Sequence, residues 1–258
     1  MEELLDLAVR AARLAGDELR KRHGNVQGLA YKSSATDPVS DADRAAEQVL
    51  VETLLGARPA DGVLGEEGSD RPGGSGLRWV IDPLDGTVNY LYGRRHWSVS
   101  VAAEDEHGLL VAVVHDPGVE ETFTAVRGGG AALDGRPLRV NDPVSLDRAL
   151  LSTGYSYDAE RRRRQAELAA RLAPQVQDYR RTGSAALDLC EVASGRIDAF
   201  YEDELGPWDR AAGTLVVREA GGVVTDLPLP EGAKPGNVGV VAAGPHLHDL
   251  LRPLLLNG

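Results

Sequence analysis

Leu77-Arg78-Trp79-Val80-Ile81-Asp82-Pro83-Leu84-Asp85-Gly86-Thr87 decides how this chain is read. The apolar run before Asp82 predicts a buried strand, Arg78–Ile81, that delivers two aspartates to its end. Pro83 disfavours helical backbone at Asp82, so the chain enters the turn extended. Asp85-Gly86 supplies the bend, because glycine accepts backbone angles that other residues resist. A loop of this kind can aim the Asp82 and Asp85 carboxylates and the Leu84 carbonyl at one point. That is an oxygen-only donor set of the kind Mg²⁺ prefers. An ordinary turn between strands uses the same residue types, so weight comes from a second acidic pair. Gly65-Glu66-Glu67-Gly68 closes another apolar approach, Val63-Leu64, and a glycine-rich loop from Gly68 to Gly76 separates it from Asp82.

With 258 residues, 42% hydrophobic and 26% charged, the chain has the material for a substantial core, as one large domain or two lobes. A net charge of −12 argues against a general nucleic-acid surface. A carboxylate-rich site would bind phosphate only through cations. The single cysteine, Cys190, excludes an internal disulfide framework and a multi-thiolate metal site, and its apolar surroundings predict a buried packing group. Met1-Glu2-Glu3-Leu4 lacks the start of a signal peptide, and no apolar run approaches membrane-spanning length, so the expectation is a cytoplasmic protein with no membrane partner.

Helical spacing predicts an amphipathic helix over 2–22 and another from Ala42 to Leu55, N-capped by Ser40 or Asp41. Strands are expected at Ser98–Ala103, Leu109–His115 and Glu121–Ala125, giving helices on an antiparallel sheet. Asn141-Asp142-Pro143 marks the expected boundary between an N-terminal lobe (1–142), carrying most metal ligands, and a C-terminal lobe (143–258), carrying Asp209 and the substrate contacts. In the second lobe strands at Leu150–Thr153, Val176–Tyr179, Arg196–Tyr201 and Val238–Ala243 alternate with helices at Ala159–Leu172, Ser184–Ser194, Asp209–Ala220 and His246–Leu255, an α/β layer pattern. Arg161 to Arg164 reads as a solvated helix face. His246-Leu247-His248 lacks a third ligand nearby and carries little weight. Gly128-Gly129-Gly130 reads as a turn, since no lysine follows as a nucleotide-binding loop requires.

Gly206-Pro207-Trp208-Asp209 opens the helix 209–220, where Asp209 is expected to cap. Alternatively, Asp209 joins Glu66, Asp82 and Asp85. Repulsion would make that cluster costly unless divalent ions neutralise it. The amides after Asp85, at Gly86-Thr87-Val88, would face a phosphate if a helix starts there. Thr87 offers a hydroxyl to orient water, and Asp43 is a possible partner, although Ser40-x-x-Asp43 also reads as a capping box.

Glu66-Glu67, the segment from Trp79 to Tyr90, and Trp208-Asp209-x-Ala211-Ala212-Gly213 resemble the signature segments of the inositol monophosphatase family. The resemblance runs from Lys32-Ser33-Ser34 through Glu219-Ala220-Gly221-Gly222. It implies a layered α-β-α-β-α sandwich of the sugar-phosphatase type, α+β with an α/β second half, and a lithium-sensitive homodimer. It further implies dependence on about two or three Mg²⁺ ions per site. The positions matching metal ligands are Glu66, Asp82, the Leu84 carbonyl, Asp85 and Asp209. Thr87 and Asp43, with Glu66, match the residues that activate water, and Gly86 and Thr87 match the phosphate cradle. Asp85, Gly183, Ser184, Ala185, Glu202 and Asp209 match the substrate side. The implied activity is a phosphoric monoester hydrolase acting on myo-inositol monophosphate, a small phosphorylated polyol, by direct attack of water. Fructose 1,6-bisphosphate, 3′-phosphoadenosine 5′-phosphate and histidinol phosphate are the alternative substrates. A bisphosphate would want extra cations; Gly183–Ala185 and Glu202 supply none, with Arg180 and Arg181 close by in sequence. A non-catalytic, metal-binding regulatory protein on the same fold is the reading from another class.

Overall fold

The computed structural model describes residues 1–25, 28–31, 38–229 and 235–256, so Lys32-Ser33-Ser34 lies outside the described residues. In chain order, helix α1 (Glu2–Arg22) precedes the paired short strands β1 (Ala30–Tyr31) and β2 (Pro38–Val39) and helix α2 (Asp41–Ala57). Strands β3 (Gly62–Gly65), β4 (Asp70–Arg71) and β5 (Arg78–Asp85) lead into the short helix α3 (Thr87–Leu91). Then come β6 (Ser98–Asp105), β7 (Gly108–Asp116), β8 (Glu121–Val126), β9 (Gly130–Leu133) and β10 (Arg136–Pro137). Beyond Asn141 lie β11 (Leu150–Thr153), α4 (Ala159–Leu172), β12 (Asp178–Arg180), α5 (Ala185–Ala193), β13 (Ala199–Leu205) and α6 (Pro207–Glu219), then β14 (Val223–Leu227), β15 (Val238–Ala243) and α7 (Pro245–Leu256).

Side-chain alternation along the strands builds the layers. In β5, β6 and β7, Trp79, Ile81, Val99, Val101, Val111 and Val113 pack with α1 and α2, whereas Val80, Ala102, Ala112 and Val114 pack with α5 and α6. On the smaller sheet, Phe200, Val240 and Ala242 join that same central layer, while Tyr201, Val241 and Ala243 turn to α4 and α7. The result is helix, sheet, helix, sheet, helix, the expected α-β-α-β-α sandwich. The larger sheet has the order β10-β9-β8-β7-β6-β5-β3-β4, antiparallel except for the parallel pair β3/β5. The smaller has the order β12-β11-β13-β15-β14, parallel from β12 to β13 and antiparallel beyond.

Several details depart from the sequence expectation. Strand β5 continues through Pro83 to Asp85, because a register shift between Asp82 and Asp85 places the proline in a bulge, where no ladder donor is needed. Strand β12 starts at Asp178 rather than Val176, β13 runs over Ala199–Leu205 rather than from Arg196 to Tyr201, and β1, β2, β4, β9, β10 and β14 add strands beyond those expected. The arginine run is only partly solvated: Arg163 and Arg164 are exposed, but Arg161 is buried and ion-paired with Glu204. Cys190 is fully buried as expected, and burial pushes its thiol well above the ordinary range. The Gly128-Gly129-Gly130 turn donates its Gly128 and Gly130 amides to Glu219 at the end of α6, at 2.8 and 2.9 Å. His248 is buried against the Thr225 hydroxyl, and no metal group forms around it among the described residues.

Candidate active site

The parallel pair β3/β5 brings the two acidic loops together. Gly65 is in register with Ile81, and the Glu66 amide donates to the Ile81 carbonyl at 3.3 Å, so Glu66, just past the end of β3, lies beside Asp82 of β5. The turn that carries Glu66 is held from α2 by a buried residue that sequence reasoning missed. Glu47 accepts the Glu67 amide at 2.8 Å, the Ser69 amide at 3.0 Å and the Ser69 hydroxyl at 2.6 Å. Gly65 makes room for this carboxylate: a Cβ there would lie 2.6 Å from Glu47 Oε2.

Within the β5 bulge, Asp82 accepts the Leu84 amide at 2.9 Å. The Thr87 hydroxyl, at the first turn of α3, lies 3.2 Å from Asp43 Oδ1 and 3.1 Å from the Leu84 carbonyl. Asp43 Oδ2 accepts the Ser40 amide at 2.9 Å, completing the capping box of α2. Capping and pairing with Thr87 are therefore both true of Asp43, one oxygen each. Gly86 has φ +93°, and a Cβ there would press on the His96 and Gly183 carbonyls at 3.0 and 3.2 Å. Asp85 Oδ2 crosses to the second half of the chain, accepting the Ser184 hydroxyl at 2.6 Å and the Ala186 amide at 2.7 Å. Ser184 is also the N-cap of α5.

Asp209 is not the N-cap of α6. Gly206 holds that position, Pro207 follows at the first helical position where its missing N–H costs nothing, and Asp209 reaches back to accept the Gly206 amide at 2.6 Å. Strand β13 has its own register shift, between Glu202 and Leu205, so each sheet contributes a bulged strand end to the site.

These elements enclose one cavity of about 820 Å³. Glu66, Asp82, Leu84, Asp85 and Asp209 line it, with Gly86, Thr87, Gly183, Ser184, Ala185 and Glu202; Asp43 stands behind Thr87. Burial raises Asp82 well above the usual carboxylate range, and the charges of Glu66, Asp85 and Asp209 add to it, with a hydrogen bond to Glu66. Burial pushes Asp85 up to about 6, against the Ser184 and Ala186 hydrogen bonds that favour its anion. Glu202 is raised by burial, then by Asp188 and Asp209, while Arg181 opposes the shift. The donor set is oxygen throughout, and a proton or a hard cation relieves the crowded charge.

Two further lining residues, Gly154 and Asp188, escaped sequence reasoning, and a third, Arg181, was marked only as close by in sequence. Gly154 lets Glu202 lie against the end of β11, since a Cβ on it would overlap the Glu202 carboxylate. Buried Asp188 accepts the Ser152 and Thr182 hydroxyls at 2.9 and 2.5 Å. Arg181 lines the cavity, so the substrate side does carry a cation, whereas Arg180 turns away to pair with Asp178. Only the Arg180-Arg181 pair had a signal in the sequence.

The match to the model of the inositol monophosphatase family extends over residues 1–256. Inositol-1-monophosphatase of Rhizobium meliloti is 42% identical over 256 residues, covering 98% of this chain and 96% of the relative. A relative from Pseudomonas aeruginosa called Nus factor SuhB is 44% identical over 234 residues, covering 88% and 86%. Among solved structures, extragenic suppressor protein suhB from Bartonella henselae superposes with a TM-score of 0.91 at 37% identity, covering 99% of each chain. An IMPase of Thermotoga maritima gives 0.87 at 31% identity, covering 99% of this chain and 97% of that one. The chain belongs to the inositol monophosphatase family.

Proposed function

We propose that this chain is a Mg²⁺-dependent phosphomonoesterase that hydrolyses myo-inositol monophosphate to inositol and phosphate. The observation that carries the reading is the lining of one cavity by Glu66, Asp82, Asp85, Asp209 and Leu84, with Thr87 backed by Asp43. Glu66, Asp82, the Leu84 carbonyl, Asp85 and Asp209 would hold the metal, whose bound charge would polarise phosphoryl oxygen and lower the pKa of water. Thr87 directs its proton toward Asp43 Oδ1, leaving its oxygen lone pairs to accept from a water, and Asp43 receives the proton that water gives up. Glu66 assists as a second base. Gly86 and Thr87 present amides to the phosphate at the start of α3. On the far wall Glu202 accepts hydrogen bonds from polyol hydroxyls, flanked by Gly183, Ser184 and Ala185. Asp85 and Asp209 also face this side.

Phosphate release with Mg²⁺ and a chelator control tests the reading across inositol 1-phosphate, fructose 1,6-bisphosphate, 3′-phosphoadenosine 5′-phosphate and histidinol phosphate. Chelator-sensitive turnover led by inositol 1-phosphate is the expected result. Because Arg181 lines the cavity, a substrate with two phosphates is the specific competitor, and its leading the panel overturns the substrate assignment. Relatives called Nus factor SuhB carry a second reading, a binding role beside or instead of catalysis. Mg²⁺ binding without turnover of any substrate would favour it. Lithium inhibition and a homodimer belong to the same proposal and are read by the same assay with LiCl and by light scattering.

A further inference from the structure

A second group of ligand-type side chains runs back from the cavity wall, where Asp188 is the member that lines the cavity. His96, between α3 and β6, and Asp188 and Glu191 on α5 each offer a ligand atom, and these atoms all lie within 4.8 Å of one another. Among the described residues no other group of three or more His, Cys, Asp or Glu meets that condition, the carboxylates of the candidate active site included. Asp188 and Glu191 are separated by one helical turn and so share a face of α5. His96 Nε2 is buried and has no hydrogen-bond partner among the described residues, a costly state for a polar ring atom. Asp188 already has the outer contacts that orient a metal ligand, since the Ser152 and Thr182 hydroxyls both donate to its Oδ1.

We propose that His96, Asp188 and Glu191 form a cation site that adjoins the phosphatase centre but shares none of its metal ligands, selective for a borderline divalent ion such as Zn²⁺ over Mg²⁺. A nitrogen donor with two carboxylates suits zinc, which accepts three protein ligands and a water; magnesium favours oxygen-only octahedra. The protonation equilibria of the three groups fit the same chemistry. Burial, then Arg94, lowers His96, which keeps the imidazole neutral as a ligand must be. Burial pushes Asp188 up to about 8 and also raises Glu191, against which Arg196 pulls down. A bound cation removes that penalty and releases the Asp188 proton to solvent. The ion would tie α5 to the segment entering β6. The first turn of α5 holds Asp85 through Ser184 and Ala186, so the bound ion would stiffen one wall of the candidate active site without entering its ligand set.

Equilibrium dialysis of the full chain against Zn²⁺ in excess Mg²⁺, with elemental analysis, tests the site, and Co²⁺ absorption spectra report the ligand field. Wild type and Asp85→Asn are expected to retain the same zinc equivalent. His96→Gln and Glu191→Gln are expected to lose it, with affinity falling by more than the roughly 10–100-fold typical of outer-contact mutations. Zinc should also raise the melting temperature of wild type and leave that of His96→Gln unchanged. A folded His96→Gln or Glu191→Gln protein that keeps its zinc overturns the proposal. So does zinc lost from Asp85→Asn, or no zinc retained by wild type. None of these readouts depends on phosphate release, so the proposal stands or falls separately from the activity.

Discussion

Glu47→Ala is expected to destabilise the protein and to disable the site by releasing Glu66. The Glu47 side chain is 5% exposed and accepts three hydrogen bonds from the turn that begins at Glu66, two from amides and one from the Ser69 hydroxyl. Hydrogen bonds to charged groups contribute about 1.5–3 kcal/mol each when fully buried. The turn itself is partly open to solvent, so water takes over some of the freed donors, and the net loss is about 2–4 kcal/mol. That is a large part of a typical folding stability of about 5–15 kcal/mol. Urea unfolding gives the number directly, with an unchanged m-value as the sign that the folded and unfolded states stay comparable. Glu47→Gln keeps one acceptor and should lose about half as much, and Ser69→Ala less than about 1 kcal/mol. Turnover in the surviving folded protein should fall by at least about tenfold, because a loss of about 1.4 kcal/mol in positioning has that effect. A Glu47→Ala protein destabilised by less than about 1 kcal/mol and turning over at the wild-type rate would refute the claim that Glu47 positions Glu66.

Asp85→Asn should abolish turnover and weaken Mg²⁺ binding, measured by calorimetry, while the asparagine oxygen keeps the Ser184 and Ala186 contacts and the melting temperature holds. Gly154→Ala displaces the Glu202 carboxylate rather than the backbone, so KM should rise several-fold with Mg²⁺ affinity unchanged; Glu202→Gln should shift KM or substrate preference in the same way. Asp188 has a folded-state pKa of about 8, above the ordinary carboxylate value near 3.8, so the folded state binds the extra proton between those values. Stability contributed by that proton is present at low pH and is lost as pH rises toward 8. Asp188→Asn should therefore melt increasingly above wild type between pH 5 and 8 in chelator, and parallel curves would contradict the shift.

What was legible in the sequence was local. Pro83, Gly86 and two aspartates lie within one turn, so the local oxygen donors follow from neighbouring residues alone, whereas the bulge that carries β5 on to Asp85 needs its pairing with β6. The Ser40/Asp43 capping box is legible for the same reason. Glu47 is the opposite case. It stands inside a regular helix with nothing to mark it, and its role exists only because the turn after β3 folds back onto α2, 20 residues and more along the chain. Arg161 and Glu204, on opposite sides of α5 in the sequence, meet for a comparable reason. Asp209 shows the limit within a local signal: an acidic residue near a helix start fits both the cap and the third helical position, and Pro207 settles the choice by taking the first. His96 and Glu191 stand furthest from sequence reach, because a loop residue and a helix face acquire chemistry only when α5 is laid beside the start of β6. The bulges carry the lesson into function. One register shift in β5 and another in β13 turn carboxylates out of two separate sheets into a common cavity. Removing either bulge by deleting one residue would restore a regular ladder and point the acidic side chains away from one another, so the site depends on two local irregularities that the layered core keeps in place.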